Sequence, residues 1–416
     1  MLKNLSRRHL LAGSAVIGAG TLAGRRVNAQ AANTVRIGFT APLSGALASV
    51  GNPIRLGAEI ARDEVNAKGG ILGRKLELVI LDDRGDSSQA VANMREFAGG
   101  GIKQVVGTPM TATAMASTAV LRELGISLAS TGTPDERLTH ELYNANYFQG
   151  AENTFTRCMA FAEMCAQRYP DVTSWTAALM DATVGRDYWE RAKHAFTTVY
   201  KNRLNKDVKF FDPVSLKLGG NDFKPQISQL MTTPADGLFV VMPGAGGITM
   251  YQQGQAFGLA KKFKLLTDHS LDIDLAKALK QQTPTNCWIS SYWYPDAFKQ
   301  YKESVDLARE ITARSGELPH GFSSLAHINV HGYAAAIAIA GSTETDKVTA
   351  ALGGLKMDTC KGPGYFRKED HQFIAGTCFF TVKPREAAPG FETGEVFALN
   401  TSDFVNPPAP GVVWKL

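Results

Sequence analysis

Three stretches of the chain set short hydroxyl side chains among glycines: Pro42-Leu-Ser-Gly-Ala-Leu-Ala-Ser-Val-Gly51, Gly107-Thr-Pro-Met-Thr-Ala-Thr113 and Ser130-Thr-Gly-Thr-Pro134. Hydroxyls and exposed backbone amides can converge on a carboxylate without bringing in a full positive charge. Each stretch alone is equally well an N-cap and turn. Three in one half of the chain point to a binding surface. A further glycine loop, Gly244-Ala-Gly-Gly247, precedes a helical pattern, with Asp268 further along. Thr249 stands where a dinucleotide fingerprint needs its third glycine, so no cofactor is expected. His327 and His331 have the i, i+4 spacing of a zinc pair, but Ile328 replaces the glutamate of a zinc protease and no third ligand is evident, so no metal site is expected. There is no nucleophile elbow, phosphate loop or CxxC, and no catalytic residue is assigned. The pair Asp82-Asp83 reads as a solvated strand end.

Hydrophobic periodicity gives the elements that would hold these loops. Thr34–Phe39, Leu76–Leu81, Gln104–Val106 and Ile126–Ala129 read as strands, and between them 52–68, 87–97 and 111–124 have helical spacing. The period then restarts, with strands at 175–180, 237–242 and 264–266 among helices at 153–169, 187–200, 222–231 and 248–257. Apolar strands alternating with amphipathic helices mean parallel sheets covered on both faces, with loops carrying the chemistry at the strands' carboxyl ends. Residues 296–352 read as mostly helical and 363–382 as hairpin-like strands. The tail from Pro384 reads as irregular surface chain.

The 416 residues suffice for two lobes. The formal charge of +5 does not imply nucleic acid: Lys3, Arg7, Arg8, Arg25 and Arg26 lie in the first 31 residues, where there is no acid, leaving 5 − 5 = 0 for the rest. Those residues read as a targeting segment, residues 1–31. A twin arginine, Arg7-Arg8, precedes an apolar run too short for the roughly 20 residues of a membrane span, and Ala29-Gln-Ala31 offers cleavage after Ala31 or, second, after Ala29. This predicts periplasmic export by the twin-arginine route, with an ordinary secretory signal or an uncleaved anchor as alternatives. Of the five cysteines, Cys158 and Cys165 share one helix face, too far apart to bond to each other, and are expected to be buried. Cys360 and Cys378 flank a hairpin, Gly362–Phe366 to Phe373, and are expected to form a disulfide in an oxidising compartment.

Four stretches, Ile37-Gly-Phe-Thr-Ala-Pro-Leu-Ser-Gly45, Asp63-Glu-Val-Asn-Ala-Lys-Gly-Gly-Ile-Leu-Gly73, Val79-Ile-Leu-Asp-Asp-Arg84 and Gly362-Pro-Gly-Tyr-Phe-Arg-Lys-Glu-Asp-His-Gln372, make the chain resemble the branched-chain amino-acid-binding proteins of ABC transporters, the type I periplasmic binding proteins. The resemblance implies an α/β fold of two doubly wound parallel-sheet lobes, 32–150 plus 295–357 and 151–294 plus 358–416. Three hinge crossings are implied, near Gly150, Tyr292–Pro295 and Met357–Gly362. It implies a monomer that closes on a small polar ligand and presents it to a membrane permease. Carried onto this chain, Thr111 and Ala112 would hold a carboxylate and Thr131, Gly132 and Thr133 an ammonium. Asp268, or His269 in its place, would complete the site from the second lobe. Val50 and Val184 stand where relatives often place aromatic walls, and Pro243-Gly244 replaces another, so the cargo is open. Trp293, with Tyr292 and Tyr294, could supply a wall or merely pack the hinge. The alternatives are a sensory module that presents the same ligand to a receptor, which an adjoining permease operon would argue against, and an exported enzyme, which turnover of bound ligand would reveal.

Overall fold

The computed structural model describes residues 34–416; the twin arginine and the cleavage site expected near Ala31 lie outside the described residues. The first sheet is built by alternation: β1 (Thr34–Ala41), α1 (Ala48–Ala67), β2 (Lys75–Asp82), α2 (Ser87–Gly99), β3 (Gln104–Gly107), α3 (Thr111–Leu124), β4 (Ser127–Ser130) and β5 (Tyr147–Gln149). All its pairings are parallel, in the order β2-β1-β3-β4-β5. β3 and β4 are buried along their whole length, as strands covered by helices on both faces must be.

The second sheet repeats that order. α4 (Thr154–Arg168), β6 (Ser174–Met180), α5 (Thr183–Leu204), β7 (Lys209–Phe210) and β8 (Val214–Leu216) come first. They are followed by α6 (Lys224–Thr232), β9 (Gly237–Val241), α7 (Gly244–Phe257), α8 (Leu259–Lys262), β10 (Leu265–Asp268), α9 (Ile273–Leu279) and β11 (Cys287–Ser291). Counted from β7 and β8 at one edge, the parallel strands run β6-β9-β10-β11. Each sheet therefore reverses direction once, between β1 and β3 and between β6 and β9. A crevice opens at such a switch point, outside the strands' carboxyl ends.

The chain then returns through α10 (Lys302–Ser315), α11 (Ser323–Ala340) and α12 (Thr345–Leu352). α11 lies against α1 so closely that a Cβ on Gly57 would come within 1.9 Å of the Ser323 carbonyl oxygen. β12 (Lys356–Thr359), β13 (Gly362–Phe366) and β14 (Phe373–Ile374) form a small antiparallel sheet that bridges to the edge of the first sheet, Gln149 to Gln372. β15 (Gly376–Pro384) and β16 (Phe391–Asn400) then join the second sheet beside β11. The architecture is the expected one, α/β with two doubly wound parallel sheets.

Two expectations need correction. The tail beyond Pro384 is not simply irregular: ten of its residues form β16, an edge strand paired along β15. Cys360 and Cys378 are buried free thiols, not a disulfide. The reason lies in the strand register. The hairpin ends at Tyr365–Ile374, and the chain then changes sheets, so Cys378 pairs with Ser291 of β11 and its Sγ lies 3.6 Å from the Ser291 carbonyl oxygen. Cys158 and Cys165 are buried in α4 as expected. Among the described residues no helix is long and apolar enough to cross a membrane.

Candidate functional site

The four helices that open at the two switch points, α1, α3, α5 and α7, begin with Leu47, Met110, Ala182 and Pro243, none of which makes a side-chain cap. By contrast α2, α4 and α9 are capped by Asp86, Asn153 and Asp272. Free N–H donors and the positive ends of four helix dipoles are thus left at the carboxyl ends of both sheets. Between α1 and α7 lies a cavity of about 370 Å³, walled by Ser49 and Val50 on one side and by Pro243, Gly244, Ile248 and Ser270 on the other, and lined also by His320 and Phe322.

Of the residues singled out in the sequence, Val50 lines this cavity. Val184 is half-buried in the first turn of α5, packed toward its own lobe's core. Thr111 is half-buried and Ala112 exposed in the first turn of α3. Thr131, Gly132 and Thr133 are fully buried at the end of β4: Thr133 donates its hydroxyl to the Thr108 carbonyl (2.7 Å), while the Thr131 hydroxyl has no partner. Asp268 is turned into its own lobe. Its Oδ1 accepts from the amides of Ser270 (3.0 Å) and Leu271 (2.7 Å), and burial pushes its pKa up to about 7. His269 takes the opposite face of β10, stacked on Phe239 at 4.2 Å, and its imidazole is held neutral by burial and by the charge of Arg157.

Arg157 is the residue that the sequence did not reveal. It is 2% exposed, near the start of α4, and its guanidinium lies over the Tyr292 ring, 4.1 Å from the centroid. Nη2 donates to Ser290 Oγ at 2.6 Å, but Nε and Nη1 have no partner. Burial works against its charge, yet Tyr292, Tyr188 and Glu152 outweigh that and hold its pKa above the ordinary value. Glu152, whose carboxylate could have answered it, is already paired with Lys361, both 1% exposed. A buried cation with two unmet donors is costly unless an anion completes it. Tyr292 also reaches the other lobe, its hydroxyl donating to the Gly132 carbonyl at 3.2 Å. Around this point the Gln149 amide, Asn329 Oδ1 and Ser323 Oγ, all on elements packed with the first sheet, are buried without partners. Trp293 and Tyr294 pack instead, the first bonded to Ser304 and the second stacked on Phe380.

Residues 34–388 match the family model described as periplasmic binding protein. The chain belongs to the periplasmic binding protein family. Among relatives, the Leu/Ile/Val-binding protein BraC3 of Rhizobium johnstonii is 40% identical over 96 residues, 23% of this chain and 26% of that protein. The chain thus matches about a quarter of that relative's length. The leucine-, isoleucine-, valine-, threonine- and alanine-binding protein of Pseudomonas aeruginosa is 26% identical over 361 residues, 86% of this chain and 92% of that protein. Two solved structures share the fold. A solute-binding protein of Rhodopseudomonas palustris in complex with 3,4-dihydroxybenzoic acid has a TM-score of 0.75 at 15% identity, covering 89% of this chain and 98% of that one. A branched-chain amino acid transporter substrate-binding protein of Streptococcus pneumoniae in complex with isoleucine has a TM-score of 0.73 at 18% identity, covering 88% and 99%.

For a periplasmic binding protein the missed Arg157 left a faint signal. It sits four residues before Phe161, on the face of α4 that meets the sheet, where an arginine needs a reason.

Proposed function

We propose that this periplasmic binding protein is the solute-binding component of an ABC uptake transporter, and that its cargo is a small carboxylate anchored by Arg157 between the two lobes. The carrying observation is the guanidinium itself, buried, charged and two donors short of satisfaction. The uncapped amides of α3 and the hydroxyls of Thr111 and Thr131 supply neutral donors from the first lobe, and Tyr292 covers the ion from the hinge. The two neighbouring folds described with isoleucine and with 3,4-dihydroxybenzoate share one group, a carboxylate, which supports the same reading here. Crossings near Gly150, Tyr292–Pro295 and Met357–Gly362 would let the lobes open and close, and closure would be what a permease recognises. The protein would act as a monomer and without turnover. Export would follow the twin arginine, so that replacing Arg7 and Arg8 by lysine should hold the precursor in the cytoplasm.

A thermal-shift panel of aliphatic amino acids, aliphatic acids and aromatic acids tests the cargo, since a ligand at 100 times its dissociation constant adds about 2.7 kcal/mol of stability. Arg157→Met should abolish the shift, a loss of about 2–5 kcal/mol of binding for one half of a buried charged contact. Full affinity in Arg157→Met would refute the assignment, and a hit confined to uncharged amides would refute the carboxylate.

A further inference from the structure

On the outer side of the first lobe, away from the cleft, the i, i+4 histidines of α11 meet a third group. Glu64 of α1 places Oε2 at 2.9 Å from His327 Nε2 and 2.7 Å from His331 Nε2, and the three ligand atoms lie within 4.8 Å of one another. The carboxylate is separated from the histidines by more than 260 residues of sequence, which is why the pair looked incomplete when read alone.

We infer that Glu64, His327 and His331 form a binding site for a first-row transition-metal ion, with Zn²⁺ as its natural class. Two imidazole nitrogens and one carboxylate oxygen are the donor set that suits Zn²⁺, Co²⁺ or Ni²⁺ and that Mg²⁺ and Ca²⁺ do not prefer. Ligand atoms about a central zinc sit roughly 3.3 Å apart, given Zn–N distances of about 2.0–2.1 Å. The observed contacts are a few tenths of an ångström shorter, so a small rotation of the flexible Glu64 side chain makes room for the ion. The backbone beneath is fixed, because α1 and α11 touch at Gly57 and Ser323, one turn before His327. The His327 ring is buried and its Nδ1 has no partner, so the ring is free to carry its proton there and offer Nε2 to a metal.

Three protein ligands leave one position open. It faces a cavity of about 740 Å³ that Glu64, His327 and His331 share with Glu303, Asp306 and Glu310 of α10. Asp306 and Glu310 are already paired with Lys302, Arg309 and Arg314, so water or the Glu303 carboxylate is left to complete the shell. The site is independent of the cargo cleft, since none of its three ligands lines the cavity between the lobes.

The test is titration of the tag-free purified protein with Zn²⁺ and, separately, with Co²⁺, after treatment with a chelator. One equivalent of Zn²⁺ should bind with a rise in melting temperature that Mg²⁺ does not give, and Co²⁺ should develop visible d–d absorption of a four-coordinate nitrogen–oxygen site. His331→Gln, at a half-buried position, should weaken binding at least tenfold and remove the Co²⁺ bands. Glu64→Gln should do the same if the histidine variant fails to fold, and Arg157→Met should leave metal binding unchanged. Absence of stoichiometric binding, or binding that survives both Glu64→Gln and His331→Gln, would overturn the site and leave the triad as a hydrogen-bonded helix contact.

Discussion

Tyr292 donates its hydroxyl to the Gly132 carbonyl at 3.2 Å, so that one side chain at the end of β11 holds a turn that follows β4 of the other sheet. The same ring carries the Arg157 guanidinium on its face. The group that joins the lobes is therefore the group that covers the proposed anchor, and closure and ligand capture share a residue.

Tyr292→Phe keeps the ring and removes only the bond between the lobes. A neutral hydrogen bond contributes about 0.5–1.5 kcal/mol net, so the closed state should lose roughly that much. Small-angle scattering should show a larger radius of gyration for the free variant, and ligand affinity should fall several-fold as the binding-competent population shrinks. An unchanged radius and affinity would mean that this contact does not contribute to closure.

Cys360 and Cys378 should react as thiols. Denatured without reductant, the protein should titrate five thiols with a chromogenic disulfide reagent, and in the native state these buried groups, whose pKa values are raised by burial where shifted, should react slowly. A count of three would restore the bridge that the hairpin suggests.

How much of this was legible follows from what periodicity can carry. The βα alternation, the switch-point loops and even the bounds of α3, Thr111–Leu124, follow from local pattern, because parallel strands buried on both faces are continuously apolar. β16 was hidden because Pro384, Pro389 and Gly390 precede it and because, as an edge strand, it buries little of either face. Asp268 was placed by its position at a strand end, and parity sets the face that it takes. It shares the face of Leu266, which looks toward Tyr251 of α7, while Leu265 and His269 look toward α4 and α5. Arg157 and Glu64 were out of reach for a different reason: each acquires its meaning from partners more than 100 residues away, which no local pattern encodes.

The Lys361–Glu152 pair should behave as a buried ion pair at the hinge. Lys361→Met leaves a buried carboxylate unanswered and should cost about 3–5 kcal/mol, measured by chemical denaturation. Adding Glu152→Gln should recover most of the loss, since two well-shaped neutral groups replace two desolvated charges. A double variant no more stable than the single one would show that Glu152 is held by something besides Lys361.

Asp268 separates two ideas about the cargo. Were it the partner of a buried ammonium, Asp268→Asn would cost a few kcal/mol of binding. Its Oδ1 instead accepts from Ser270 and Leu271, a role that the amide oxygen of asparagine can keep, so the variant should bind the ligand with unchanged affinity. The pH dependence of stability gives a second readout. Burial raises the folded pKa to about 7 from the ordinary 3.8, so the folded state holds this proton more tightly than the unfolded chain does. The ionised carboxylate therefore opposes folding above pH 7, and stability contributed by this group grows as pH falls from about 7 toward about 4 and is flat below that. Asparagine cannot titrate. The difference in unfolding free energy between wild type and Asp268→Asn should thus shift in favour of wild type, by a few kcal/mol at most, between pH 8 and pH 5. A constant difference across that range, or loss of ligand binding in the variant, would place the Asp268 carboxylate in the cleft after all.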